Sequence, residues 1–151
     1  MSSILKISLI LLLSPALACA QSKEETIAYL IREIKSLESK EYTVRTIAFS
    51  PDGGAMTFRR HIIGKTEKEM VIQFKDVDIF HVTFNRPEGH NFFDLVVRTR
   101  GKDATILLDN ARVKGTKSLF RLTSEQKAEA MDEAFNRLIE LARGKDPFPV
   151  K

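Results

Sequence analysis

The residues able to do chemistry are few, and their spacing keeps them apart. Three histidines occur, His61, His81 and His90, and none has another three or four positions away to share a metal. His90 stands in a turn with Glu88 and Asp94 close in sequence, and reads as a solvated loop histidine. His61 and His81 fall in strand-like segments, at polar or rim positions. Asp76 and Asp78 are two apart, so an extended backbone puts both on one face. Acid–base work there needs a cleft that raises one pKa, and a solvated bend is the simpler reading. Ser50, Ser118 and Ser124 look like turn and cap residues, and no G-x-S-x-G turn exposes a serine. Gly53-Gly54 forms a turn rather than a phosphate cradle, and Asp52-Gly53 lacks the twelve-residue calcium spacing. The expectation is a non-catalytic chain with no metal and no cofactor.

Basic residues form the one suggestive grouping. Arg98 and Arg100 share a strand face, Lys102 follows in a loop, and Arg59 lies on a neighbouring strand. Arg112, Lys114 and Lys117 cluster further along. If Arg59, Arg98, Arg100 and Lys102 converge, they attract an anionic lipid headgroup or an acidic glycan. The alternative is a solvated sheet face balanced by Asp94, Asp103 and Asp109.

Composition bounds what these residues can belong to. The chain has 151 residues, 43% hydrophobic and 29% charged, which suits one domain and excludes a disordered, collagen-like or multi-span membrane chain. Twenty-four basic against 20 acidic residues give +4, too mild an excess to imply nucleic acid. Residues 1–20 place Lys6 before an apolar run and end in Ala18-Cys19-Ala20, the three-part pattern of a secretory signal peptide. The apolar run is too short to span a bilayer. Cleavage after Ala20 removes Cys19, the only cysteine, and leaves no transmembrane span. The rival is lipidation at Cys19, although Ala16 stands where a bulky aliphatic residue is usual. The reading is export to the periplasm or beyond, or anchorage through Cys19.

The mature segment reads as helix, strands, helix. Ser22 and Glu25 have capping-box spacing, and Ile27, Leu30, Ile31, Ile34 and Leu37 make one apolar stripe. Thr123 and Gln126 offer a second box before Ala128, Met131, Ala134, Phe135, Leu138, Leu141 and Ala142, a helix expected over 124–143. Gly144 suits its left-handed exit, and Pro147 and Pro149 forbid continuation. Between the helices the period is two, broken at Pro51-Asp52-Gly53-Gly54, Gly64-Lys65-Thr66, Pro87-Glu88-Gly89, Gly101-Lys102-Asp103 and Lys114-Gly115-Thr116. Six or seven strands in an antiparallel meander follow, because no helix interrupts them. No glycine or proline lies in 75–78, so the third and fourth strands are either separate or one strand bent near Asp76. Arg60 points toward the core on the alternation of Met56, Phe58 and Ile62, unless a bulge at Arg59-Arg60 flips it.

This order is similar to the pleckstrin-homology-like (PH-like) superfold, a bent sheet or partly open barrel plugged by a C-terminal helix. Val71-Ile72-Gln73-Phe74-Lys75-Asp76-Val77, the hairpin from Phe93 to Leu108, and Ser118 to Leu141 carry the likeness. The chain also resembles a group of small, uncharacterised exported proteins of Gram-negative bacteria, through Lys23-Glu24-Glu25-Thr26-Ile27 and Ala134-Phe135-Asn136-Arg137-Leu138-Ile139. The resemblance implies an α+β fold and an exported location, and it brings no catalytic residue. The domain division is then a leader over 1–20, one α+β domain over 21–144 and a flexible tail over 145–151. The functional expectation is a binding module whose partner is an envelope protein or an anionic lipid or glycan. A small periplasmic hydrolase using His90 or Asp76 and Asp78 is the enzymatic alternative.

Overall fold

In the computed structural model, residues 22–37, 42–62, 64, 68–101 and 106–145 are described. The leader, Cys19, Lys102, Asp103 and the tail beyond Lys145 lie outside them.

The first helix, α1 (Lys23–Lys35), begins as its sequence dictates. The Glu25 amide donates to the Ser22 hydroxyl at 3.2 Å, and the Glu25 carboxylate accepts from the Ser22 amide at 2.7 Å. Thr26, Leu30 and Ile34 are buried along its inner stripe, with Ile27 and Leu37 packed beside them.

Eight strands follow among the described residues: β1 (Tyr42–Phe49), β2 (Ala55–Ile62), β3 (Lys68–Gln73), β4 (Val77–Asn85), β5 (Phe92–Thr99), β6 (Ile106–Leu108), β7 (Ala111–Val113) and β8 (Thr116–Leu122). They build two antiparallel sheets, one ordered β1-β2-β3-β6-β7 and the other β4-β5-β8. The order is not a plain meander: β3 pairs with β6, and β5 with β8. The closing helix α2 (Glu125–Ala142) packs chiefly on β4 and β5.

A 3-10 turn over Phe74–Asp76 separates β3 from β4 and carries the chain from one sheet to the other, so these are not one bent strand. The turn is held at both ends. The Phe74 amide donates to the Gly54 carbonyl at 2.9 Å, and the Arg100 amide to the Asp76 carbonyl at 2.7 Å.

The irregularity anticipated at Arg59-Arg60 lies across from them, in β1. Val44 pairs with Arg60 and Thr46 with Arg59, which leaves Arg45 as the extra residue. The bulge therefore lets Val44, Ile47 and Phe49 all pack on the core, while Thr46 and Ala48 are exposed. Arg60 does point inward, and its guanidinium donates to the Leu119 carbonyl of the opposite sheet at 3.2 Å.

Strand β7 has no counterpart in the alternation pattern. It forms because Asp109 and Asn110 both adopt positive φ, 50° and 64°, the hairpin turn that these two residue types tolerate best. At the start of α2 the cap is Ser124, not Thr123: its hydroxyl accepts from the Lys127 amide at 3.3 Å. The helix ends one residue inside the expected boundary and leaves through Gly144 at φ 77°.

The core is a chain of phenylalanine rings. Phe135 of α2 stacks on Phe80 of β4 at 4.3 Å and 8°, and lies 6.4 Å from Phe120 of β8 and 6.3 Å from Phe74 of the turn. Phe120 in turn meets Phe58 of β2 at 5.1 Å, so both sheets and the helix share one aromatic cluster. Phe135 is fully buried. Phe135→Ala should lower unfolding free energy by about 3–5 kcal/mol in urea titration, through lost burial and the cavity left behind.

Candidate functional site

Of the four cations expected to form an anion patch, Arg59 and Arg98 lie on different sheets and each is paired with an acid. Arg59 lies on β2 of the five-stranded sheet, where its Nε donates to Glu69 Oε2 at 2.8 Å across the β2–β3 pair. Arg98 lies on β5 of the other sheet, where its Nε donates to Asp78 Oδ2 at 2.9 Å. Arg100 follows β5 as an exposed residue with no ion-pair partner among the described residues, and Lys102 lies outside them. Of the acids expected to balance them, Asp103 lies outside the described residues, and Asp109 and Asp94 have other partners. Asp109 accepts from the Glu69 amide at 2.8 Å and fastens the β6–β7 hairpin to β3.

Asp94 is turned elsewhere. It is 4% exposed on the central strand β5, and Arg121 holds it with two bonds, Nε to Oδ1 at 2.7 Å and Nη2 to Oδ2 at 3.0 Å. Asn85 donates to the same carboxylate, and the Arg121 guanidinium lies 5.0 Å over the Phe92 ring. A buried carboxylate with a bidentate arginine and an amide is a satisfied structural group, since every charge there is compensated.

The other candidate residues are dispersed. Asp76 belongs to the 3-10 turn, whereas Asp78 lies at a β4 irregularity between Val77 and Ile79, bonded to Arg98. Asp78 is thus committed to Arg98, across the β4–β5 pair. His90 is exposed, with its ring 6.4 Å from Phe92, and Asp94 is committed to Arg121. Among the described residues no three histidine, cysteine, aspartate or glutamate side chains gather to hold a metal.

Shallow clefts occur among the described residues. One of about 560 Å³ lies between the β1–β2 turn and the end of α2, lined by Ser50, Asp52, Gln73, Lys75 and Leu141. The Ser50 hydroxyl and the Gly54 amide both donate to Asp52 and hold its carboxyl below the usual carboxylate range. That acid serves the turn. The second cleft, about 280 Å³, is bounded by the Arg59–Glu69 pair with Asp109 and Asn110.

The feature with most binding potential is the outer edge of β4, which ends the three-stranded sheet. A terminal strand leaves half of its amides and carbonyls without a strand partner. Here α2 covers part of that row with side chains. Asn136 accepts from the Phe80 amide at 3.0 Å and donates to the Phe80 carbonyl at 3.1 Å, so one side-chain amide stands in for a neighbouring strand. Arg143 donates to the Val77 and Asp78 carbonyls, both at 2.7 Å.

Beyond Phe80 the cover stops. The β4–β5 register is continuous from Ile79 to Asn85, and backbone direction alternates along an antiparallel strand. Val82 and Phe84 therefore point their amides and carbonyls the same way as Phe80, away from β5, and no described residue bonds them. Phe84 is 58% exposed, the most open large apolar side chain among the described residues, and its ring lies 5.5 Å from Phe93. The cause is the path of α2. The helix starts after Leu122, level with Phe93 and Phe84, and reaches the β4 edge only at Phe80 and Val77. It crosses the sheet diagonally and leaves the far end of β4 bare.

One acid lies beside this edge. Asp132 is one helical turn before Asn136, is half-buried, and has an Oδ1 that accepts no hydrogen bond. Burial raises its pKa to about 6, Asn136 opposes that shift, and the charges of Glu129 and Glu133 add to it. Sequence reasoning missed Asp132 and Asn136. The signal available was a pair of polar residues at i, i+4 just beside the apolar face, with Arg143 one further stripe position along.

No family model, curated protein or solved structure matches this chain.

An acid whose native pKa lies above its unfolded value stabilises the fold fully below the unfolded value. That contribution fades as pH rises through the native value. For Asp132 the loss runs from the ordinary carboxylate range up to about pH 6. Asp132→Asn should therefore flatten the stability profile between about pH 4 and 6 and raise the melting temperature at pH 7–8, read by thermal denaturation across that range.

Proposed function

We propose that this chain is an exported, non-catalytic interaction module, PH-like in build, that docks a protein along the free edge of β4. One observation carries the reading: the outward amides and carbonyls of Val82 and Phe84 lie next to the exposed ring of Phe84. Main-chain groups supply affinity in strand addition, and adjacent apolar side chains supply selectivity. Export rests on the leader pattern of residues 1–20. The test is a photo-reactive amino acid placed at Phe84, with Arg112 as the control position. A covalent adduct in the envelope fraction at 84 and not at 112 is the expected result. No adduct at 84, or equal adducts at both, removes the reading.

The second reading, an anionic lipid or glycan on the basic residues, keeps support from the exposed Arg100. It is the weaker of the two, because Glu69 and Asp78 already compensate Arg59 and Arg98. It requires binding to anionic vesicles that falls as salt rises. Arg98→Ala with Arg100→Ala should abolish that binding in co-sedimentation, and binding that survives both changes refutes it.

A further inference from the structure

Resting on the reading of β4 as a docking edge, we infer that the occupant is a second copy of the same strand, joined antiparallel about a two-fold axis at Thr83. The free stretch of β4 has two ends, and they are placed symmetrically. On one side Asn136 already occupies the Phe80 amide and carbonyl, so no incoming strand pairs there. On the other side β4 ends at Asn85, and Pro87 has no amide to continue a ladder. What remains is 81–85, centred on Thr83.

A two-fold axis at that centre sets Val82 opposite the second copy's Phe84, and Phe84 opposite its Val82. Both residues present outward amides and carbonyls, so each pair exchanges two hydrogen bonds. The same register packs the exposed Phe84 ring on a Val82 side chain of the other copy. The two three-stranded sheets become one six-stranded sheet, and the contact is isologous, with the same patch on both copies.

Charge favours a second copy over an unrelated peptide. In this register Arg86 of one copy arrives opposite Phe80 of the other, beside Asn136. Arg86 is exposed and has no partner among the described residues. One turn from Asn136 stands Asp132, whose Oδ1 is buried and unbonded, and the charges of Glu129 and Glu133 act on it. Arg137 already holds Glu133 at 2.7 Å, so the exposed cation of each copy is delivered to Glu129 and Asp132 on the other's α2, twice per dimer. A generic extended strand offers the ladder without that match.

Sedimentation equilibrium on the chain from residue 21 onward tests this. A concentration-dependent dimer is expected. Val82→Pro removes an amide that β5 does not use, so it should leave the fold intact by circular dichroism and weaken dimerisation at least tenfold. Arg86→Glu, on an exposed side chain, should weaken it by a similar factor, and adding Glu129→Lys should restore most of the loss. A chain monomeric up to about 1 mM, or a dimer indifferent to both single changes, overturns the inference. The photo-adduct at position 84 separates the two levels. An adduct of twice the chain mass supports self-pairing. A heavier or lighter adduct keeps the docking edge but overturns the second copy as its occupant. No adduct removes both.

Discussion

Phe80 is gripped twice by neighbouring residues of one helix. Phe135 stacks on its ring, and Asn136 bonds its amide and carbonyl. These two contacts fix where α2 lies on the three-stranded sheet, and the rest follows from that placement. Phe135 then reaches Phe120 and Phe74, which ties the second sheet and the crossing turn into one core. Arg143, two turns further on, falls over the Val77 and Asp78 carbonyls. A buried apolar contact sets the depth of the helix, and a directional polar contact sets its rotation. Neither alone specifies the register of a helix on a strand edge, because hydrophobic burial is not directional.

The α+β class and both helices were legible because apolar periodicity and capping chemistry are local signals. The box at Ser22 and Glu25, the stripe through Leu30 and Ile34, and the face through Met131 and Phe135 all appear as read. What was not legible depended on long-range pairing. The bulge at Arg45 exists because β1 must match β2 while keeping Ile47 and Phe49 on the core, and the odd parity looked like a problem with Arg60 instead. The division into two sheets needs β3 to find β6 across the intervening β4 and β5, which no spacing within either strand encodes.

The site was less legible than the fold for a related reason. Basic residues are conspicuous in a sequence, but their electrostatic weight depends on which carboxylates the fold sets beside them. Glu69 and Asp78 do this for Arg59 and Arg98, and both were passed over in favour of Asp94, Asp103 and Asp109. An open strand edge, by contrast, has no compositional signature. It arises from the diagonal path of α2, and the one sequence trace of it is Phe84, on the same strand face as Phe80 but beyond the last covered residue.

The position of Phe135 along the chain has a consequence for timing. The ring that joins both sheets lies near the C-terminal end, on the last element of the fold. Whatever delivers this polypeptide from its N-terminal end, a ribosome or a secretion channel, therefore releases β1 to β8 before their common core can close. Partial chains keep apolar strand faces uncovered until the final helix arrives, and such exposure invites aggregation or chaperone capture. The same arrangement keeps a nascent chain from locking before the middle of α2 is in place. A stop codon placed before Phe135 leaves all eight described strands synthesised and removes the ring on which both sheets converge.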